Sequence, residues 1–425
     1  MNTYSSYKDS GVDWIGNIPS DWEVVRNKYL FDVTKNVVGE ESDKYQLLSL
    51  TKRGVVLRDI ESGKGKFPES FDTYQTVDKG DLIFCLYDID ETPRTIGISN
   101  YSGMITGSYK VVKCNTLTDP KFIYYNYLSI DDVKGLRPYY TGLRKVVRTE
   151  TFLNLNVRVP SLQEQQQISD YLDYKTLKID KLIEKTEQKI ELLKEQRTSL
   201  INTTVTKGLD PNVEMKDSGV EWIGDVPVGW DIKPMYTRYS QNKTKNDNST
   251  STILSLSYGR LIKRNMETNF GLLPDNFDSY QLLETGFIIL RMTDLQNDHK
   301  SLRVGICEFQ GIITSAYIGL KPLTNVCSKY FFYYLYMCDL KKVFYGLGGG
   351  LRQSVSYNDF KRFPLSIPPL QEQQQIVDYI NKKTSKIDKL VDIESKRIDL
   401  LKEYRQSLIS EVVTGKVDVR DEVLV

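Results

Sequence analysis

Lys8-Asp-Ser-Gly-Val-Asp-Trp-Ile-Gly16 returns 208 residues later as Lys216-Asp-Ser-Gly-Val-Glu-Trp-Ile-Gly224. Pro160-Ser-Leu-Gln-Glu-Gln-Gln-Gln-Ile168 returns at the same offset as Pro368-Pro-Leu-Gln-Glu-Gln-Gln-Gln-Ile376. Between these landmarks Phe71-Asp-Thr-Tyr-Gln75 matches Phe277-Asp-Ser-Tyr-Gln281 at an offset of 206. The frame is back at 208 by Gly97 and Gly305, so the second copy gains two residues around 294–300. Solenoids need several short units stacked in series. Two long copies mean two whole domains in tandem.

Each copy changes character near its end. The first part carries short strand-like runs bounded by turn residues, such as Tyr45-Gln-Leu-Leu-Ser-Leu50, Gly80-Asp-Leu-Ile-Phe84 and Ile253-Leu-Ser-Leu-Ser257. Dense aromatic residues predict a helix over 121–129 and its counterpart 329–338. The second part reads as a heptad seam: Ile168, Leu172, Ile179, Ile183, Ile190, Leu193 and Leu200 in the first copy. The later copy repeats it at Ile376, Ile380, Ile387, Val391, Ile398, Leu401 and Leu408. Lys175, Thr186 and Arg197 interrupt the first seam, and Lys383, Glu394 and Arg405 interrupt the second at the same phases.

Helices of about 40 residues span roughly 60 Å at 1.5 Å per residue. Neither is stable alone with an apolar stripe in water, so each is expected to bury the other's. The domain between them lets the chain return, which makes the pair antiparallel. Asp210-Pro211 is expected to end the first helix, because proline disfavours helix at the residue before it. The fold class is α+β: two mixed α/β globules joined by two long antiparallel coiled-coil helices, in a pseudo-two-fold internal repeat. The expected boundaries are 1–160 and 208–368 for the globules, 161–207 and 369–415 for the helices, and 416–425 for a tail.

Composition sets outer limits. Hydrophobic residues at 40% and aromatic residues at 11% belong to a folded chain. The 28 tyrosines suit cores and contact surfaces alike, since a phenol has an apolar face and a hydrogen-bonding tip. With 57 basic and 56 acidic residues the net charge is +1, which argues against indiscriminate coating of nucleic acid but permits a local basic surface. Cys85, Cys114, Cys307, Cys327 and Cys338 form no CxxC pair and read as free thiols in a reducing cytoplasm. The N-terminal stretch has no apolar signal core and no run of ~18 apolar residues occurs, so a soluble intracellular protein is expected.

The doubled opening motif with Trp22, the doubled Pro-x-Leu-Gln-Glu-Gln-Gln-Gln-Ile and the long helix after each resemble type I restriction–modification DNA specificity subunits. The two repeats cover nearly the whole chain. That resemblance implies two target-recognition domains, each reading one half of a bipartite double-stranded DNA sequence. It implies helices that set the separation of the halves and dock two methyltransferase subunits, with motor–nuclease subunits joining for cleavage. It also implies a non-catalytic chain with no cofactor of its own; S-adenosylmethionine, ATP and Mg belong to the partner subunits.

The residues themselves point the same way. The single histidine, His299, cannot assemble a His-containing metal cluster. No GxxxxGK[ST] loop, S-adenosylmethionine glycine fingerprint or Asn/Asp-Pro-Pro-aromatic tetrapeptide is present. Gly346-Leu-Gly-Gly-Gly-Leu-Arg352 could cradle an anion, but its counterpart is only Thr141-Gly-Leu-Arg144, which favours a flexible turn. Asp210 and Glu214 with Lys216 form a carboxylate pair lacking a third partner. A self-contained methyltransferase is therefore the weaker class of function. A coiled-coil adaptor that binds no DNA is the other alternative.

Comparison of the copies separates roles, since phosphates look alike everywhere and base edges do not. Among shared positions, Trp14 with Trp222 and Trp22 with Trp230 are expected to anchor the start of each globule. Tyr74-Gln75 and Tyr280-Gln281 suit either a structural corner or a DNA contact. Arg144 and Arg352, in the shared Gly-Leu-Arg, are candidates for a common DNA contact, with a salt bridge as the alternative. Where the copies differ, Lys52, Arg53 and Arg58 face Tyr258, Arg260, Lys263 and Arg264 in hairpin-like segments. Lys145 and Arg148 face Gln353 and Ser356. These are the candidates for half-site-specific contacts.

Overall fold

Each long helix begins at its glutamine-rich motif and ends on a glycine. The computed structural model describes residues 2–59, 68–264, 276–296, 298, 302–323, 326–347 and 354–422. The first long helix runs Leu162–Lys207 and the second Leu370–Val413. Ser161 starts the first, its Oγ accepting the Glu164 N–H at 3.3 Å. The first helix ends at Lys207, three residues before Asp210: Gly208, at φ +76°, follows the last helical residue, and Gly415 at +73° lies just past the second helix. A left-handed residue just past the helix is what glycine supplies. Both glycines also allow a close approach. A Cβ on Gly415 would stand 2.5 Å from Pro19, and one on Gly208 would stand 3.0 Å from Glu372.

The chain divides into two compact units, Met1–Glu187 with Lys396–Val425, and Gln188–Ser395. Each unit therefore owns one half of each long helix. In the first unit a four-stranded antiparallel sheet has the order Phe31–Thr34, Lys110–Cys114, Leu82–Phe84, Ile96–Ile98. A helix over Pro120–Asp132, capped by the Asp119 carboxylate on the Phe122 N–H, lies against the last of these strands. The core gathers Trp22, Phe31, Phe84, Phe122 and Phe152, and it takes Ile168, Leu172 and Ile179 from the first long helix. Leu408, Ile409, Val412 and Val413 enter the same core from the second long helix. Each such aliphatic side chain contributes about 1.5–3 kcal/mol on full burial.

The second unit repeats the plan. Its sheet has the order Tyr239–Gln241, Ile318–Pro322, Ile288–Leu290, Val304–Ile306, and its helix spans Ser328–Leu340. Ile201 and Val205 of the first long helix meet Ile376, Val377 and Ile380 of the second in a core built around Trp230, Tyr330 and Phe331.

Within each unit the two helix halves run antiparallel. In the first, Arg405 bonds Asp180 at 2.9 Å, and the start of one helix and the end of the other meet at Trp22. In the second, Arg197 bonds Asp388 at the same 2.9 Å, and Lys189 bonds Glu394. The seam residues Ile168, Leu172, Ile179, Ile190, Ile376, Ile380, Ile387, Ile398 and Leu408 are buried, while Ile183, Leu193, Leu200, Val391 and Leu401 are half-buried. One phase differs from the heptad count. Thr176 and Thr384 point inward where Lys175 and Lys383 fall in the heptad frame, and those lysines lie over the Tyr171 and Tyr379 rings. A step of four there keeps a straight 3.6-residue helix in contact where a strict 3.5 repeat would drift.

No helix among the described residues is long and apolar enough to cross a membrane. The five cysteines are free thiols, three of them buried.

Candidate nucleic-acid interface

The shared motifs turn out to be fasteners. Trp22 and Trp230 are buried, and their indole N–H groups donate to Glu164 and Glu372, each at 3.0 Å. Gln165 donates to the Pro160 carbonyl at 3.0 Å and accepts the Asp119 N–H at 2.9 Å. Gln373 repeats both bonds with Pro368 and Cys327. The Gln-Glu-Gln run thus locks the root of each long helix to its own globule. Trp14 does not share the anchoring role expected of it: it is 42% exposed, whereas Trp222 stacks on Phe363 at 5.1 Å. The Phe-Asp-x-Tyr-Gln segment is a corner. Gln75 is buried and donates to the Thr106 and Tyr109 carbonyls, and Gln281 does the same to Thr314 and Tyr317.

The positions that differ sit elsewhere. In the first unit, strands Leu48–Thr51 and Gly54–Leu57 form a hairpin with Lys52 and Arg53 exposed at its tip. Thr51 fastens the turn, its Oγ accepting the Arg53 N–H at 3.1 Å. In the second, Leu254–Ser257 pairs with Arg260–Lys263 around Tyr258 and Gly259. Both central residues have positive φ, +47° and +74°, as a two-residue hairpin with native twist requires. Gly259 packs against Leu302 and Tyr336, which leaves the Tyr258 ring outside, 89% exposed. Arg260 is exposed and lines a groove of about 850 Å³ with Arg197, Lys329 and Tyr336, and Lys263 lies over the Phe309 ring. Arg58 and Arg264 stand at the other end of their hairpins, where their N–H groups bond Leu47 and Ile253.

Arg144 and Lys145 fall on a loop closed by a bridge between Thr141 and Val146, and Arg148 follows it at the start of a short helix, Thr149–Leu153. Arg144 bonds Asp88 at 2.8 Å and lies over the Tyr87 ring. Lys145 lies 3.2 Å from both Asp90 and Glu91, and Arg137 adds a 2.9 Å bond to Asp90. Arg137, with help from Lys145, holds the Asp90 carboxyl below its ordinary range. The bond to Asp88 raises Arg144, and bonds to Glu91 and Asp90 raise Lys145. Arg148 is exposed and, with Lys110, Tyr87 and Arg144, lines a cleft of about 500 Å³.

The structure therefore groups the first-unit candidates at a hairpin tip and at a cationic cleft. Tyr87, Asp88, Asp90, Glu91 and Lys110 had no sequence signal as single residues, because their partners lie about 50 positions away. The acidic run 88–91 set against the basic loop 144–148 was the available clue. Arg352, Gln353 and His299 lie outside the described residues, as does most of the Gly346–Arg352 segment. Asp210 makes a turn by accepting the Asn212 N–H, and Lys216 bonds the Val228 carbonyl, so each has a local structural task.

Comparison with known proteins matches the chain to the family described as "Type I restriction modification DNA specificity domain" over residues 19–192 and 303–403. The "Type I restriction enzyme MjaVIII specificity subunit" of Methanocaldococcus jannaschii is 23% identical over 430 residues, covering 95% of each chain. Among solved structures, a chain from work described as the structural basis of complex assembly and conformational transition of the type I R-M system superposes with a TM-score of 0.70. It has 12% identity and covers 94% of this chain and 99% of its own. The HsdS subunit from Thermoanaerobacter tengcongensis superposes with a TM-score of 0.52 at 13% identity, covering 94% and 98%. These structural likenesses concern the fold.

Proposed function

Since the chain belongs to the type I restriction–modification DNA specificity family, we propose that each of its two units reads one half of a bipartite double-stranded DNA target. The observation that carries this reading is the doubling itself. Two globules share the same fasteners yet present different side chains at equivalent hairpin tips, Lys52 and Arg53 in one and Tyr258 in the other. Shared scaffolding with divergent tips is what reading two unlike half-sites requires.

The long helices set the distance between half-sites and dock two methyltransferase subunits, with motor–nuclease subunits joining for cleavage. The chain itself does no chemistry and works in the cytoplasm. Adenine methylation with S-adenosylmethionine, and ATP- and Mg-dependent cleavage, belong to the partners. No observation favours the adaptor alternative.

Long-read methylation sequencing of the source cell with and without this gene tests the proposal. Deletion is expected to abolish one bipartite adenine-methylation motif. Persistence of every motif would contradict it.

A further inference from the structure

Two of the cations expected at the first unit's DNA surface, Arg144 and Lys145, are already engaged, as is the neighbouring Arg137. Arg144 is held by Asp88, Lys145 by Asp90 and Glu91, and Arg137 by Asp90, at 2.8–3.2 Å. The bases and Glu91 are exposed, Arg144 at 71% and Glu91 at 70%, while Asp88 and Asp90 are half-buried at 30% and 24%. Exposed ion pairs of this kind are weak and screened by salt, so they do little to hold a loop in place. The loop has other ties in any case, with the Val147 N–H on the Leu86 carbonyl and the Asp88 N–H on the Arg144 carbonyl, each at 2.9 Å.

The second copy keeps two of these charges, Asp294 for Asp88 and Arg352 for Arg144, and changes others. Asp88 aligns with Asp294, and both are left-handed, at φ +46° and +58°. Ile89 aligns with Leu295, and both are buried. Counted on at an offset of 206, Asp90 and Glu91 fall on Gln296 and Asn297; beyond the two-residue gain, at 208, Arg137 and Lys145 fall on Tyr345 and Gln353. Both bases are replaced by neutral residues, and the two-residue gain falls within this loop, where the second copy also carries Asp298. In the described part of the second unit the equivalent loop is tied by backbone carbonyls and by an ion pair of Arg291 with Asp298 at 3.6 Å. Buried Arg303 donates to the Thr293 and Asp294 carbonyls, and the Tyr345 hydroxyl donates to the Asp298 carbonyl. Arg137 and Lys145 have no basic counterparts in the second copy, so their ion pairs are not required by the fold that both units share.

We propose that Asp88, Asp90 and Glu91 are specificity-determining positioning residues. They occupy Arg144, Lys145 and Arg137 in place of DNA phosphate, so that non-cognate duplex gains nothing from these cations. This inference rests on the DNA-reading function proposed above. Carboxylate and phosphate oxygens offer the same bond to a guanidinium or ammonium group. A duplex that fits the cleft beside Lys110, Arg144 and Arg148 displaces the carboxylates because it brings several contacts at once. One that does not fit must compete with a resident acid for each phosphate contact. The device lowers indiscriminate affinity without removing the bases, in keeping with a net charge of only +1.

The test uses the full-length chain and two duplexes of equal length, one carrying its methylation motif and one scrambled. Binding is measured between 50 and 200 mM salt for the wild type, Asp90→Asn/Glu91→Gln, and that variant with Arg137→Gln/Lys145→Gln added. The acid-neutralised variant should bind the scrambled duplex more tightly. Its log–log salt slope should steepen by about 0.9 for each freed cation that reaches a phosphate. With two such cations, the gain should shrink roughly tenfold across that salt range. Affinity for the motif duplex should rise less, so the specificity ratio falls. Adding the two base-to-glutamine substitutions should cancel the gain.

A merely structural role predicts weaker binding to both duplexes and a lower melting temperature. Unchanged or weaker binding to the scrambled duplex, with an unchanged slope, would overturn the proposal. Failure of the wild type to prefer its motif duplex would instead count against the DNA-reading function, and the scrambled-duplex comparison would still decide the role of the acids.

Discussion

Trp22 donates its indole N–H to Glu164 over 3.0 Å, joining the first residues of a globule to the root of a helix 142 positions away. Glu164 is buried and accepts a second bond from the Tyr4 hydroxyl at 2.7 Å, so one carboxylate satisfies two interior donors. Tyr4 has no tyrosine counterpart; Asn212 stands at the equivalent position. Replacing Glu164 with alanine leaves both donors without this acceptor, at about 1–3 kcal/mol each. The loss in urea unfolding should be roughly 2–6 kcal/mol by that measure. Glu372→Ala, which strands the Trp230 indole alone, should cost about half as much. Equal losses from the two would show that the Tyr4 bond contributes nothing.

The hairpin tips should act separately. Lys52→Ala/Arg53→Ala is expected to relax base preference in one half-site and leave the other unchanged; Tyr258→Ala should do the reverse. A good side-chain contact to a base edge discriminates by about 1–3 kcal/mol, a ten- to hundredfold change in preference. Methylation motifs of cells carrying each variant report the outcome. A change in both half-sites from either variant would count against independent reading.

Helix length should set spacing. Seven residues added at matched positions of both long helices keep the apolar seam nearly in phase and lengthen each by about 10 Å. At 3.4 Å per base pair that is about three more base pairs between half-sites. The half-sites themselves should not change. A folded, active variant with the original spacing would rule out the ruler role.

Much of the architecture could be read from the residues because it is periodic or repeated. The seam at Ile168, Leu172 and Ile179 obeys helical spacing, and the offset of 208 identifies equivalent positions without any structure. What could not be read depends on long-range partners. Trp14 and Trp22 are the same residue type in similar turn-rich settings, yet only Trp22 reaches a buried acceptor. For Arg144 the residues leave a DNA contact and a salt bridge both open, and the partner that forms the bridge, Asp88, lies 56 positions earlier. The inward turn of Thr176 in place of Lys175 is set by the real helical pitch, which a heptad count only approximates.

The central claim is that each half of the repeat reads its own half of the DNA target. The most direct test replaces residues 208–368 with a second copy of 1–160 and maps adenine methylation in cells carrying only that variant. The account predicts a symmetric motif made of the first half-site twice, in opposite orientations. A motif that keeps both original half-sites would contradict it.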